Sequence, residues 1–338
     1  MIGSGEKAYA FAKASGIIGK SFVGRRTAAL GPINRLSEFD RLVFGANAKE
    51  LPEKELLSDM EQRLSRRSVT AISSVIKSFK NPPLLFTLLL RVYEYSDLKT
   101  ALALIAEGET SSRPAFTLLG NFGTVNFDAW PDANAMLAGT DLTFILKYLS
   151  PSEDDTGEVS METALDRHYY SKLWTSLQKL KIRDCRAAKK IIGEEIALLN
   201  CSWVLRLRHY YGMKAGEVAE HLIVMDKNKT LCEDAKAALE FSLDDYHEWE
   251  QWKRRKFLNP LPDTGHWHAD PRYFQNAASV YLYRLAMRYF RTSLSFIDKI
   301  FCFIMLKQHE EDLLTSNAEG LGMGLSSREV LSLLGAAS

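Results

Sequence analysis

The sequence predicts an all-α protein, and three observations carry that prediction. Apolar residues recur three or four positions apart through most of the chain. Strand-like alternation is nearly absent, and no hairpin dipeptide separates two alternating runs. Three helical blocks resemble one another, which predicts three similar helical domains over residues 1–110, 111–215 and 216–338.

The first long helix is predicted in "LPEKELLSDMEQRLSRRSVTAISSVIKSF". It opens on Pro52 and acidic residues and repeats Leu56, Met60 and Leu64 over a charged opposite face. Three times an apolar run leads into acids and then to a glycine one helix later. "PPLLFTLLLRVYEYSDLKTALALIAEG" ends at Gly108, "KKIIGEEIALLNCSWVLRLRHYYG" at Gly212 and "FIDKIFCFIMLKQHEEDLLTSNAEG" at Gly320. A second phrase recurs as "EFDRLVF" at Glu38, "ALDRHYY" at Ala164 and "SLDDYHEW" at Ser242. The copies lie roughly a hundred residues apart, a spacing of small domains and not of solenoid repeats.

Between the blocks lie breaker-rich segments. Glu107 to Leu142 is rich in Gly, Pro, Asn and Asp and has room for one short helix at most. Ser150 to Ser160 reads as a polar acidic loop, and Leu258 to Pro271 as another breaker-rich stretch.

The block from Ile191 to Met213 crowds acids, an Asn, a Cys, Arg, His and Tyr into about six helical turns. On a helix, Ile192, Ile196, Leu199, Trp203, Leu207 and Tyr210 form one apolar stripe, with Leu198, Cys201 and Leu205 beside it. Glu194 and Glu195 are expected near its positive end, and Arg206, Arg208 and His209 near its negative end, with Gly212 closing it. Packing and capping account for this helix, and Asn200 is left as a buried polar residue in search of a partner.

With 338 residues, a hydrophobic fraction of 46% and a charged fraction of 25%, the chain has ample material for more than one core. A net charge of +1 gives no bulk attraction to nucleic acid. Cys185, Cys201, Cys232 and Cys302 lie far apart without metal-knuckle spacing, so reduced thiols in a cytoplasmic protein are expected. The apolar runs fall well short of the ~20 residues of a membrane span, and the N-terminus, with Glu6 and no long apolar stretch, is not a signal peptide.

Other constellations have simpler explanations than chemistry. His266 and His268 form an H-x-H pair near Asp263 and Asp270, but Pro260, Pro262, Gly265 and Pro271 mark a surface turn short of a full ligand set. Gly320, Gly322 and Gly324 lack the strand or the Gly-Lys-Ser/Thr ending of a phosphate loop. They predict a helix exit followed by a terminal helix with Ser326 as N-cap and Glu329 closing a capping box. "EWEQWKRRKF" reads as a solvated helix face, with Arg254 and Arg255, like Arg25 and Arg26 or Arg66 and Arg67, available for a partner. No cofactor or metal is expected.

Four phrases together resemble a known family: "YAFAKASGIIGKSF", "ALDRHYYSKLW", "GEEIALLNCSWVLRLRHYYGM" and the closing "FIMLKQHEEDLL" with "EGLGMGLSSREVLSLL". In that order they resemble the C subunit of archaeal and bacterial V/A-type rotary ATPases and its eukaryotic counterpart, the d subunit of the vacuolar proton pump. The likeness is greatest at Leu165, Asp166, Arg167, Tyr169 and Tyr170, and at Glu195, Ile196, Leu198, Asn200, Leu205 and Arg206. The first repeat departs from the pattern, with Ser96 and Asp97 near the expected Asn, and the third lacks that Asn.

The resemblance implies a pseudo-threefold funnel of three all-α domains, without an active site, in which Asp166, Arg167, Tyr170, Glu195, Asn200 and Arg206 are packing residues. It implies a single copy per complex on the cytoplasmic side of the membrane. There the subunit would join the central-stalk subunits (D and F type) to the membrane rotor ring (c/K type) and carry torque between ATP chemistry and proton or sodium translocation. Two other readings stay open: an all-α enzyme with a site around His266 and His268, and a free helical scaffold.

Overall fold

Among the described residues, periodicity becomes structure as fourteen α-helices joined by short 3₁₀ turns, with no β-strand. The computed structural model describes residues 3–149, 160–225, 228–263 and 265–335. In chain order the helices are α1 (Ser4–Lys20), α2 (Leu36–Phe44), α3 (Glu53–Ile76), α4 (Leu84–Leu90), α5 (Val92–Glu107), α6 (Ala133–Leu137) and α7 (Met161–Gln178). They continue as α8 (Arg186–Tyr211), α9 (Ala215–His221), α10 (Glu233–Glu240), α11 (Tyr246–Trp249), α12 (Pro271–Thr292), α13 (Phe296–Gly322) and α14 (Ser327–Leu333). The chain is all-α, as its sequence predicts.

Local chemistry explains most boundaries. Pro52 precedes α3, whose Leu56, Met60 and Leu64 are buried as their spacing requires. Glu107 to Leu142 contains a single short α-helix, α6, N-capped by Asp132. Of the acidic loop, Ser150 to Val159 lies outside the described residues, and Ser160 caps α7 through the Thr163 amide. Asp270 caps α12, where Pro271 occupies the first turn, and Ser326 with Glu329 makes the capping box of α14. Gly108 and Gly212 end α5 and α8 at φ of 75° and 61°, a left-handed conformation that costs glycine nothing.

Gly320 departs from that pattern. It does not end a helix: α13 runs on through it to Gly322. A Cβ at Gly320 would collide with Val330, so the glycine is there to let α14 cross α13 closely.

Two other expectations are corrected. Helix α8 begins at Arg186, so Glu194 and Glu195 sit in its third turn, away from the positive end. That end is held instead by Asp298 of α13, whose carboxylate accepts the Ala187 and Ala188 amides at 3.1 and 3.0 Å. The first apolar stripe of α8 is buried at Ile192 and Ile196 but emerges at Tyr210, which is 46% exposed. The second stripe, Leu198, Cys201 and Leu205, is fully buried.

The segment "EWEQWKRRKF" is not one solvated helix either, since α11 ends at Trp249. Trp249 and Trp252 are buried, and their indole N–H groups donate to Ser242 and Asp234 carbonyls at 2.6 and 2.8 Å.

Among the described residues the interior forms three hydrophobic cores. One gathers α4, α5, α7 and the halves of α3, α8, α12 and α13 that face them. A second joins the C-terminal half of α8 to α9, α10, Trp249, Trp252 and the start of α12. The third joins α2, the N-terminal half of α3, the C-terminal half of α13 and α14. Each of α3, α8, α12 and α13 thus runs from one core into another.

Helix α13 packs against α1, α3, α4, α8, α12 and α14. Its buried polar groups fasten these neighbours. Glu310 accepts the Phe22 amide at 2.8 Å and an Arg67 N–H at 3.3 Å, Lys307 pairs with Glu310, and Asn317 accepts the Ser327 hydroxyl at 2.7 Å. Burial would raise the Glu310 carboxyl, but Lys307 and Arg67 hold it below its ordinary value. No helix among the described residues is long and apolar enough to cross a membrane.

Candidate partner-binding cavity

Helices α3, α12 and α13, with the 3₁₀ turn Gly24–Ala29, line a half-open cavity of about 960 Å³. A smaller cavity of about 390 Å³ shares Ser65, Tyr283, His309, Glu311 and Asp312 with it and extends to α5 and α8. The walls are as polar as they are apolar in kind, and their charges are sorted. Glu61, Asp97, Glu195, Glu311, Asp312 and Glu319 come from α3, α5, α8 and α13, whereas Arg25, Arg284 and Arg291 come from the 3₁₀ turn and α12.

Several wall groups are fixed by their neighbours. Glu311 accepts from Ser65 and Tyr93 hydroxyls at 2.5 Å each, and Asp97 accepts the Thr117 amide at 2.5 Å. Tyr283 accepts the Gly24 amide at 2.6 Å and stacks on His309 with ring centroids 4.3 Å apart. Burial lowers the His309 imidazole to about 4, so it is neutral at physiological pH.

Asp97, Glu195 and Asp312 are all shifted upward. Desolvation by the crowded cavity wall raises Asp312, although its side chain reaches solvent, to about 7, with repulsion from Glu311 and Glu195 adding to it; burial raises Asp97 to about 6 against its Thr117 hydrogen bonds. Burial raises Glu195 to about 7, opposed by the hydrogen bond that Tyr170 donates at 2.9 Å. These carboxylates would gain from an incoming cation, which would restore their charged forms.

Of the residues singled out in the sequence, Glu195 and Arg25 line this space. Asp166 in α7 pairs with Lys99 of α5 at 2.6 Å, and Tyr170 joins α7 to α8 through Glu195. Burial lowers Arg167, near Tyr148 and Glu220. Asn200, fully buried, has its partner in the backbone of Ile223, at 3.0 and 2.8 Å. Arg206 is exposed on α8, and Arg26 is exposed with its guanidinium 5.8 Å from the Phe22 ring centre.

Arg254 is not available to a partner, because it is 7% exposed and binds Glu194 at 2.5 Å and Asp234 at 2.7 Å. These two carboxylates make an internal ion-pair network that ties α8 to α10. Arg255 stays exposed, donating to the Glu250 carbonyl. His266 is exposed, while His268 lies between Asp244 and His209, one partner on each ring nitrogen. Among the described residues no cluster of three His, Cys, Asp or Glu side chains is disposed to hold a metal ion.

The cavity escaped sequence reading because its walls come from positions as far apart as Phe22 and Gly335. One signal was present: Arg284 and Arg291 fall seven apart, which places two cations along one face of α12.

Comparison with known proteins agrees with the resemblance seen in the motifs. A protein of Treponema pallidum (strain Nichols), described as an uncharacterized protein, is 27% identical over 325 residues, spanning 94% of this chain and 92% of its own length. The family model described as ATP synthase (C/AC39) subunit matches residues 43–333, which covers every long helix except α1. The chain therefore belongs to the C/AC39 subunit family of V/A-type ATP synthases.

Proposed function

We propose that the chain is the non-catalytic socket of a V/A-type rotary ATPase, seated on the cytoplasmic side of the membrane between the central stalk and the rotor ring. The cavity between α3, α12 and α13 is the observation that carries this reading. A space of about 960 Å³ walled by rigid helices and sorted charges suits the tip of a protein stalk. In this account the D- and F-type stalk subunits engage the cavity, and the c/K-type ring engages another face, with a single copy per complex.

Torque transmission requires torsional stiffness, and helices shared between cores supply it. The proposal retains three related units, 1–110, 111–215 and 216–338, arranged about a pseudo-threefold axis, with α5, α8 and α13 as counterparts. Asp166, Tyr170, Glu195 and Asn200 then serve as fasteners within the second unit and at its borders. The enzyme alternative near His266 and His268 has less support, because both ring nitrogens of His268 are already engaged.

Reconstitution tests the reading. Purified chain should form a stable complex with the stalk subunits, and Asp312→Arg or Glu61→Arg in the cavity should weaken it at least tenfold. Arg206→Glu, outside the cavity, should leave it unchanged. Equal binding by all three variants would remove the cavity from the interface.

A further inference from the structure

Three interhelix connections converge at the end of the molecule where α13 begins. Phe79, in the turn after α3, meets Phe296 edge-on with ring centroids 5.4 Å apart. In the turn before α8, the Asp184 carbonyl accepts the Ser295 hydroxyl, and Asp298 caps α8 itself. The three strands of contact place the α3–α4, α7–α8 and α12–α13 connections side by side.

Each connection, or the helix start that follows it, carries an aliphatic side chain without cover. Leu84 is 53% exposed, Ile182 69% and Leu294 100%. A single exposed leucine is ordinary, but three on adjoining turns form a pattern.

Their surroundings are strongly basic. Lys80, Lys179, Lys181, Arg183, Arg186 and Lys190 are all exposed there. The nearby acids are engaged: Asp184 lies 3.8 Å from Arg183, Asp298 is buried under α8, and Glu6 accepts the Gly3 and Lys80 amides. In a chain of net charge +1 this is a marked segregation of positive charge. None of the three aliphatic or six basic residues lines the cavity.

We propose that this end of the chain binds a bilayer surface bearing anionic phospholipid headgroups. Leu84, Ile182 and Leu294 enter the headgroup layer, while the surrounding lysines and arginines pair with lipid phosphates. Apolar tips within a basic ring match both parts of such a surface, the acyl boundary and the negative headgroups. The proposal concerns lipid recognition by the chain itself and does not depend on the stalk occupying the cavity.

Vesicle sedimentation of the purified full-length chain tests it. The chain should sediment with phosphatidylcholine vesicles containing about one-third phosphatidylglycerol, and not with phosphatidylcholine alone, and the binding should weaken at high ionic strength. Ile182→Ser with Leu294→Ser should cut the bound fraction about tenfold by removing the apolar contact. Lys181→Glu with Arg183→Glu should do the same by reversing charge.

All four positions are exposed, and an unchanged melting transition would confirm that each variant is folded. Failure to bind anionic vesicles at low salt, or wild-type binding by either variant, would overturn the proposal. So would binding to membranes only when the ring protein is present, which would make an acidic protein the partner. A chain that ignores vesicles yet joins the stalk and ring would refute lipid binding while leaving the rotor reading intact.

Discussion

Asn200 pairs with Ile223 as two residues of a β-ladder would: its amide donates to the Ile223 carbonyl at 3.0 Å and accepts the Ile223 N–H at 2.8 Å. Both residues are buried, so water cannot substitute for either bond. Asn200→Leu keeps similar bulk but strands a donor and an acceptor. It should cost roughly 2–5 kcal/mol of stability, read as a shift in denaturation midpoint. In an assembled complex it should loosen coupling without abolishing a chemical step. A variant with wild-type stability and assembly would show that this pair is not a fastener.

Gly320 and Val330 make a second such relationship. Gly320→Ala should force α14 away from α13 and destabilise the chain by about 1–3 kcal/mol. Val330→Ala in the same chain should recover part of that loss, because it removes the methyl groups that the new Cβ meets. Additive losses in the double variant would contradict close approach as the reason for glycine.

Asp298→Ala leaves the Ala187 and Ala188 amides at the start of α8 without acceptors. A loss of about 1–3 kcal/mol is expected, together with faster amide hydrogen exchange confined to the first turns of α8. Unchanged exchange there would mean that α8 is held by packing alone.

Glu195 makes a pH prediction. Its carboxyl titrates at about 7 in the folded chain because burial disfavours the charge, above the ordinary value of 4.5 that it regains on unfolding. Between those values the folded state holds the proton more tightly, so stability falls as pH rises through this window and levels off above about 7. Glu195→Gln keeps an acceptor for Tyr170 and removes the titration. The variant should therefore gain stability over the wild type at pH near 8 and lose that advantage towards pH near 4, in paired thermal melts. An advantage that stays constant with pH would place the titration elsewhere.

The helices were legible because their causes are local. The Leu56, Met60 and Leu64 spacing, the left-handed glycines at 108 and 212, and the Ser326–Glu329 box all act within a few turns. Where the cause lies far along the chain, the reading failed. Gly320 resembles Gly108 and Gly212 in sequence, yet it answers to α14 crossing above it. The acids of α8 sit near a helix start only if that start is misplaced, and the true cap arrives from Asp298, more than a hundred residues away. Arg254 looks like surface charge until α8 and α10 bring Glu194 and Asp234 to it. The cavity belongs to this second class, since five helices build it and its acids are unremarkable in any one of them.

The proposed turning of the chain with the stalk is tested most directly by one covalent link. The four native cysteines are buried, so Ser316→Cys would place the one reactive thiol on the cavity wall, facing a cysteine introduced at the stalk tip. A rotor-to-rotor bond moves as a unit. The account predicts that the disulfide forms and that ATP-driven ion transport continues at the uncross-linked rate. Transport that stops on cross-linking and returns on reduction would show that the two parts move against each other, and would contradict it.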